Sequence, residues 1–285
     1  MWTTVIKLVW SGGYCAAIVI AGWGFSKTTN YGCQGRSNTS KSHMLDKRKI
    51  LLALQFWKGD KARAMEVARL ITDLEPRMSE QADFLFVSRF DCSQDEDTIK
   101  YVSRKFLTHH YVNRTRGEMW PHGCNTLWFG TMDWVYSHGL AKRVPDYKAV
   151  LTFEADACPL SPNWISEIHQ EWDKKKVKVL GALQSNPAPH VNGNAMFSGD
   201  PAFLKWVARE KGGCKPSGGW DFLLASEFRK RGWADSGLFR SWWGYPTMTR
   251  ETFDSLVGQG VVFFHGCKDA SVIRHVRDRF LKSPS

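Results

Sequence analysis

Short, almost wholly apolar runs alternate along the chain with stretches whose apolar residues recur at helical spacing. "KILLALQFW" (Lys49–Trp57) and "ADFLFVSRF" (Ala82–Phe90) read as strands covered on both faces, where no polar alternation is needed. Between them "KGDKARAMEVARLITDLEP" places Ala64, Val67, Ala68 and Ile71 on one helical face before Pro76 stops it. "DEDTIKYVSRKF" opens with acidic residues that suit a helix N-terminus, and "HHYVNRT" supplies a third strand. A helix from Asn125 to near Gly139 follows. Then come a fourth strand in "KAVLTFEAD", a helix in "NWISEIHQEWDKK" and a fifth strand in "VKVLGALQ". Strands alternating with helices predict an α/β fold around a mostly parallel central sheet with flanking helices.

In such sheets ligands bind at the carboxyl ends of the strands. The fourth strand ends there in two like charges, Glu154 and Asp156, around a single alanine. A solvated turn would tolerate the pair without further consequence. A divalent cation would offset the repulsion, because hard cations favour carboxylate oxygens. Two carboxylates with separated pKa values could instead do acid/base work.

Composition changes this picture in three respects. The 285 residues carry a net charge of +11, which suits an anionic partner (nucleic acid, a membrane surface or a phosphorylated substrate) or simply a basic surface. The 14 tryptophans suit gripping of sugar faces or nucleobases, or a core built on large rings. The seven cysteines, at 15, 33, 92, 124, 158, 214 and 267, form no CxxC pair and read as reduced thiols. Asn38 and Asn113 match the N-glycosylation pattern. Residues 8–25 carry no charge and lie between Lys7 and Lys27, so a membrane anchor stands beside a buried strand or helix as their reading. The expected organisation is an N-terminal segment at 1–47, anchor or loose extension, and one domain at 48–285. The expected location is cytoplasmic, or membrane-anchored through residues 8–25.

"LTFEADACPL" resembles the DxD motif of nucleotide-sugar-dependent glycosyltransferases of the GT-A fold, with glutamate in the first acidic place. The resemblance covers about Lys49 to Phe280 and implies a Rossmann-like nucleotide-binding half joined to an acceptor-binding half. It implies Mn²⁺ or Mg²⁺ held against the donor diphosphate, with Asp156 as direct ligand and Glu154 beside it. "VVFFHGCKDAS" is similar to the late segment in which such enzymes supply a histidine ligand and a basic residue, which implies His265 for the metal and Lys268 for the diphosphate. "GGWDFLLASEF" sets Trp220 and Asp221 at a helix start, where inverting members place the base that deprotonates the acceptor; Asp221 as a plain helix N-cap is the alternative.

"PHVNGNAMF" resembles the segment lining the acceptor site, so Asn192, Gly193 and Asn194 are acceptor candidates with Trp220; an Asn-Gly turn closing a hairpin is the other reading. Arg114 and Arg116 suit the diphosphate, and Gln55, Trp57, Arg89 and Asp91 stand by position at the strand ends for base and ribose. No GxGxxG, Walker, HExxH or GxSxG pattern occurs. The expected activity is transfer of a hexosyl or pentosyl group from a nucleotide-diphosphate sugar to a glycan, lipid or protein hydroxyl, with inversion if Asp221 is the base. The alternatives are glycosylation of a modified base in DNA, a binding module without turnover, and a nucleotidyltransferase that releases pyrophosphate.

Overall fold

The computed structural model describes residues 47–93, 95–117, 119–186, 188–211 and 218–282. The candidate anchor at 8–25, nearly all of the 1–47 segment and the Asn38 sequon lie outside them. Among the described residues no helix is long and apolar enough to cross a membrane.

The first half runs β1 (Ile50–Phe56), α1 (Lys61–Leu74), β2 (Ala82–Arg89), α2 (Glu96–Val102), β3 (Thr108–Asn113), α3 (His122–Leu140) and β4 (Ala149–Glu154). Next come β5 (Ala157–Pro159), α4 (Trp164–Lys175), β6 (Val179–Gly181), β7 (Leu183–Gln184), β8 (His190–Val191), β9 (Ala195–Ser198) and α5 (Pro201–Glu210). The chain ends with α6 (Trp220–Leu223), α7 (Ala225–Arg231), β10 (Trp233–Asp235), β11 (Phe239–Ser241), α8 (Arg250–Gly258), β12 (Phe263–His265) and α9 (Ser271–Phe280).

Seven strands form the central sheet in the order β10-β6-β9-β4-β1-β2-β3. All its pairings are parallel except those of β9, which runs antiparallel to both β4 and β6. The α/β class with a mostly parallel sheet is therefore present. Every residue of β1 is buried, as its unbroken apolar run requires. Ile50, Leu52, Leu54 and Phe56 face a core shared with α1, α4 and α9, whereas Leu51 and Ala53 face a second core built on α3, α5 and α7. From β1 the chain winds outward through β2 and β3, then returns to place β4 on the other side of β1. That reversal makes the β1–β4 junction the switch point, where a crevice opens beyond the strand ends. Gln55 and Glu154 are register partners there.

Local expectations hold in part. Asp95 accepts from the Thr98 N–H and caps α2, while Ala64, Val67, Ala68 and Ile71 face inward on α1. "VKVLGALQ" is not one strand: β6 belongs to the central sheet, and β7 pairs with β8 in a two-stranded sheet. Gly181 marks the break, since a side chain there would press on Ala195 and Val191. The Asn192–Asn194 turn closes no hairpin, because β8 and β9 lie in different sheets. "GGWDFLLASEF" splits at Leu224 into α6 and α7. The Asn113 sequon is buried, and its amide donates to the Thr126 carbonyl at 2.7 Å, so it offers no accessible acceptor nitrogen.

Candidate functional site

β4 delivers Glu154 at its last residue, and Asp156 occupies the two-residue connection to β5. A three-stranded sheet, β11-β12-β5, supplies the third group. β12 runs antiparallel to β5 with His265 opposite Ala157, and Ser241 on β11 lies opposite His265. This register sets His265 Nε2 3.4 Å from Asp156 Oδ1 and 3.6 Å from Glu154 Oε2. The Ser241 hydroxyl engages Nδ1 at 2.9 Å and leaves Nε2 to the carboxylates. Gly266 donates its N–H to the Asp156 carbonyl at 3.2 Å, with φ at +145° and the Trp242 carbonyl so close that a side chain would collide with it. One ligand atom from each of Glu154, Asp156 and His265 lies within 4.8 Å of the others. Glu154 keeps 42 % of its side chain exposed against 8 % for Asp156 and 6 % for His265, so it forms the open edge of the group.

The electrostatics show a cluster short of positive charge. Enclosure raises the Glu154 pKa, and the like charge of Asp156 adds to that against the pull of His265. Burial alone would also raise Asp156, but the hydrogen bond and charge of His265, with Lys268, hold it below the usual range. Burial disfavours a charged His265, yet the two carboxylates outweigh it and raise its pKa. The acids thus favour the charged form of the imidazole. Two hard oxygen donors and an imidazole could hold Mn²⁺ or Mg²⁺ in its stead.

Asp221 is the second residue of α6, and Gly219 occupies the N-cap, so Asp221 is not the cap. Its Oδ1 accepts from the Phe222 N–H at 2.9 Å. Burial raises its pKa, opposed by the charge of His190 and by the N–H groups of Phe222 and Gly193. Its own charge in turn adds to the rise of the Glu154 pKa. Cys124, in the first turn of α3, adjoins Glu154: its Sγ donates to Oε1 at 3.6 Å. Burial and the charges of Glu154, Asp221 and Asp60 push this thiol far above its ordinary pKa, so it acts as a neutral donor.

The acceptor-side expectations need correction. Trp220 is a core residue, 5 % exposed, with its ring stacked 3.8 Å from that of Trp128 and nearly parallel to it. It offers no open face to a sugar. Asn194 accepts the Glu154 N–H at 2.8 Å and donates to Asn192 Oδ1 at 3.1 Å, while Gly193 passes its carbonyl to the Thr152 hydroxyl at 2.9 Å. This turn fixes the end of β4 from beneath. A side chain on Gly193 would press against Trp220.

On the other flank, Trp57, Arg89 and Asp91 come together at the ends of β1 and β2. The Arg89 guanidinium lies over the exposed Trp57 ring at 5.3 Å, donates from Nε to Asp91 Oδ1 at 2.8 Å and reaches the Gly117 carbonyl at 3.2 Å. The Arg89 hydrogen bond holds Asp91 below the usual carboxylate range. Asp60 links this wall to the acidic cluster, accepting the Trp57 N–H at 2.9 Å while its carboxyl feels the charge of Asp156. Gln55 departs from its expected role: it is buried and donates to the Thr131 hydroxyl of α3 at 2.9 Å, so its side chain is spent on the packing of β1 against α3. Arg114, Arg116 and Lys268 are exposed and have no ion-pair partner among the described residues.

Sequence reasoning missed Cys124, Ser241 and Asp60. Ser241 could not be found by spacing, since only the β11–β12 register makes it a neighbour of His265. Cys124 follows a Trp-Pro-His-Gly stretch that does open a helix, and that was its one signal.

No protein-family model and no curated protein matches the chain. By structure it is similar to the glycosyltransferase GlyE of Streptococcus pneumoniae TIGR4, at 9 % identity and a TM-score of 0.45, over 77 % of this chain and 55 % of that one. Mouse xyloside xylosyltransferase 1 aligns at 11 % identity and a TM-score of 0.43, over 76 % and 97 % of the two chains. The WbbM bifunctional glycosyltransferase aligns at 10 % identity and a TM-score of 0.47, over 78 % and 46 %. The chain thus spans little more than half of the first protein and under half of the third. Scores this low leave the function to be argued from the side chains of the chain itself.

Proposed function

We propose that the chain is a divalent-cation-dependent glycosyltransferase, with its catalytic unit at 48–285, that moves a sugar from a nucleotide-diphosphate donor to an acceptor hydroxyl with inversion. The observation that carries this reading is the meeting of Glu154, Asp156 and His265 at the switch point of a parallel sheet. Asp156, His265 and Glu154 hold the cation. When bound, it would neutralise charge that grows on the departing diphosphate. Lys268, Arg114 and Arg116 meet the phosphate oxygens, and their contacts strengthen as that charge develops. The Trp57 ring gives the nucleobase a flat face, and Asp91, oriented by Arg89 through both its oxygens, accepts from the ribose on its remaining lone pairs.

Asp221 takes the proton of the attacking hydroxyl onto its carboxylate. The acceptor oxygen then bonds to the anomeric carbon as the bond to the diphosphate breaks, releasing nucleoside diphosphate. A carboxyl with a raised pKa is a better base than an ordinary one. The acceptor class is a glycan, lipid or protein hydroxyl.

The test is a screen of common sugar nucleotides with Mn²⁺, following release of nucleoside diphosphate. Metal-dependent release lost in both Asp156→Ala and His265→Ala is the expected result. Full release by both variants, or no release from any donor in the wild type, would refute the assignment.

A further inference from the structure

Beyond β9, on the flank of β4 away from Trp57 and Arg89, the carboxyl ends of β6 and β10 border a polar cavity of about 280 Å³. Gln184, Asp235, Ser236, Arg240, Ser241 and Trp242 line it. It opens at the same end of the sheet as Glu154, since β6 and β10 run parallel to β4. Ser241 joins the two places: its hydroxyl holds His265, and its carbonyl accepts from Gln184 Nε2 at 3.4 Å.

Arg240 is the anomaly of this cavity. Its Nε is buried and meets no hydrogen-bond partner, and no ion pair reaches its guanidinium among the described residues. The lining carboxylate, Asp235, forms no ion pair with it and accepts the Leu183 N–H at 2.9 Å through Oδ1. A buried donor without an acceptor is costly, and a guanidinium fork is shaped for a two-oxygen anion.

We propose that this cavity is an oxyanion subsite that receives the carboxylate or phosphate of an acidic sugar acceptor. The assignment to an acceptor rests on the glycosyltransferase reading, in which the donor occupies the β1–β2 flank. Arg240 supplies the charge-assisted contact, Gln184 and Ser236 supply neutral partners, and Trp242 supplies an apolar wall. The cavity volume suits a single sugar ring. The net charge of +11 would draw such anions to the surface from a distance.

The experiment is ligand-observed saturation-transfer NMR on the full chain with Mg²⁺, using methyl glucuronide, glucose 6-phosphate and neutral methyl glucoside as probes. The acidic probes are expected to bind at least about tenfold more tightly than the glucoside, and Arg240→Gln to remove about tenfold of that affinity. Arg240→Lys keeps the charge and is expected to recover part of it, which holds the test open if Arg240→Gln melts early. Equal binding of the glucoside, acidic binding indifferent to both variants, or binding only of a single-stranded oligonucleotide would overturn the proposal. Nucleoside diphosphate release separates the two claims. Arg240-dependent binding of acidic probes without donor turnover would keep the anion site and sink its assignment to a transferase. Turnover with a neutral acceptor and no acidic binding would sink the subsite alone.

Discussion

β4 carries charge at both ends and treats it in opposite ways. Just before its amino end, Lys148 is buried, and its Nζ donates to both carboxylate oxygens of Asp173 at 2.8 and 2.9 Å. Beside it, Asp83 takes the Lys49 ammonium at 2.8 Å and the Tyr147 hydroxyl at 2.9 Å. Every carboxylate there has its cation. At the carboxyl end, Glu154 and Asp156 share one histidine, with an exposed lysine near Asp156, while the charge of Asp221 adds to that on Glu154. A completed ion pair is architecture, with little left over for a ligand. An acidic group left short of cations at the ligand end of a parallel sheet has chemistry to offer.

The sharpest way to break the contrast is Asp221→Asn. It is expected to lower sugar transfer by ~10²–10⁴-fold while donor binding holds, as read by product formation and by titration with a nucleotide sugar. Turnover at the wild-type rate would return Asp221 to the scaffold. Next in size is Lys148→Met at the other end. It is expected to lower unfolding free energy by about 2 kcal/mol in urea melts, below the fully buried figure because Asp173 keeps 26 % exposure. Nucleoside diphosphate release per folded molecule should not change. A catalytic defect without lost stability would mean that the two ends are not separate in role.

Much of the functional end was legible in the sequence because it violates a local rule. Two acids directly after a buried run stand out, and a histidine after "VVFF" stands out for the same reason. β1, β2 and β4 were legible because a doubly covered strand must be apolar throughout. Strands β5, β10 and β11 were not: each spans three residues and is held by register with its neighbours, which leaves no periodicity to read. The same limit applies to Trp220 and Gln55. Position placed them at the site, but whether a side chain faces the crevice or the core depends on partners remote in sequence, Trp128 for one and Thr131 for the other.

Ser241 gives the next smaller effect and probes the edge of the functional cluster. With its hydroxyl gone, His265 Nδ1 loses the contact that orients the ring, so Ser241→Ala is expected to weaken Mn²⁺ binding by about 10–100-fold in calorimetry. Ser241→Thr restores the hydroxyl and should restore most of the affinity. Equal losses in both variants would point to packing instead.

The smallest effect concerns stability, and its sign separates the two ends of β4. Burial raises the Asp221 pKa in the folded chain, so protonated Asp221 is tolerated and ionised Asp221 is penalised. Its favourable contribution is complete below the ordinary carboxylate range of about 3.9 and is lost as pH rises through the elevated folded value. Asp221→Asn removes that loss. Without metal, the variant should melt at the wild-type temperature in acid and above it near neutral pH. Lys148→Met should melt below wild type near neutral pH, because it leaves the Asp173 carboxylate without its partner. An Asp221→Asn chain that melts lower than wild type near neutral pH would show its carboxylate to be a satisfied structural partner, like Asp173, and the contrast between the ends would fail at its most exposed point.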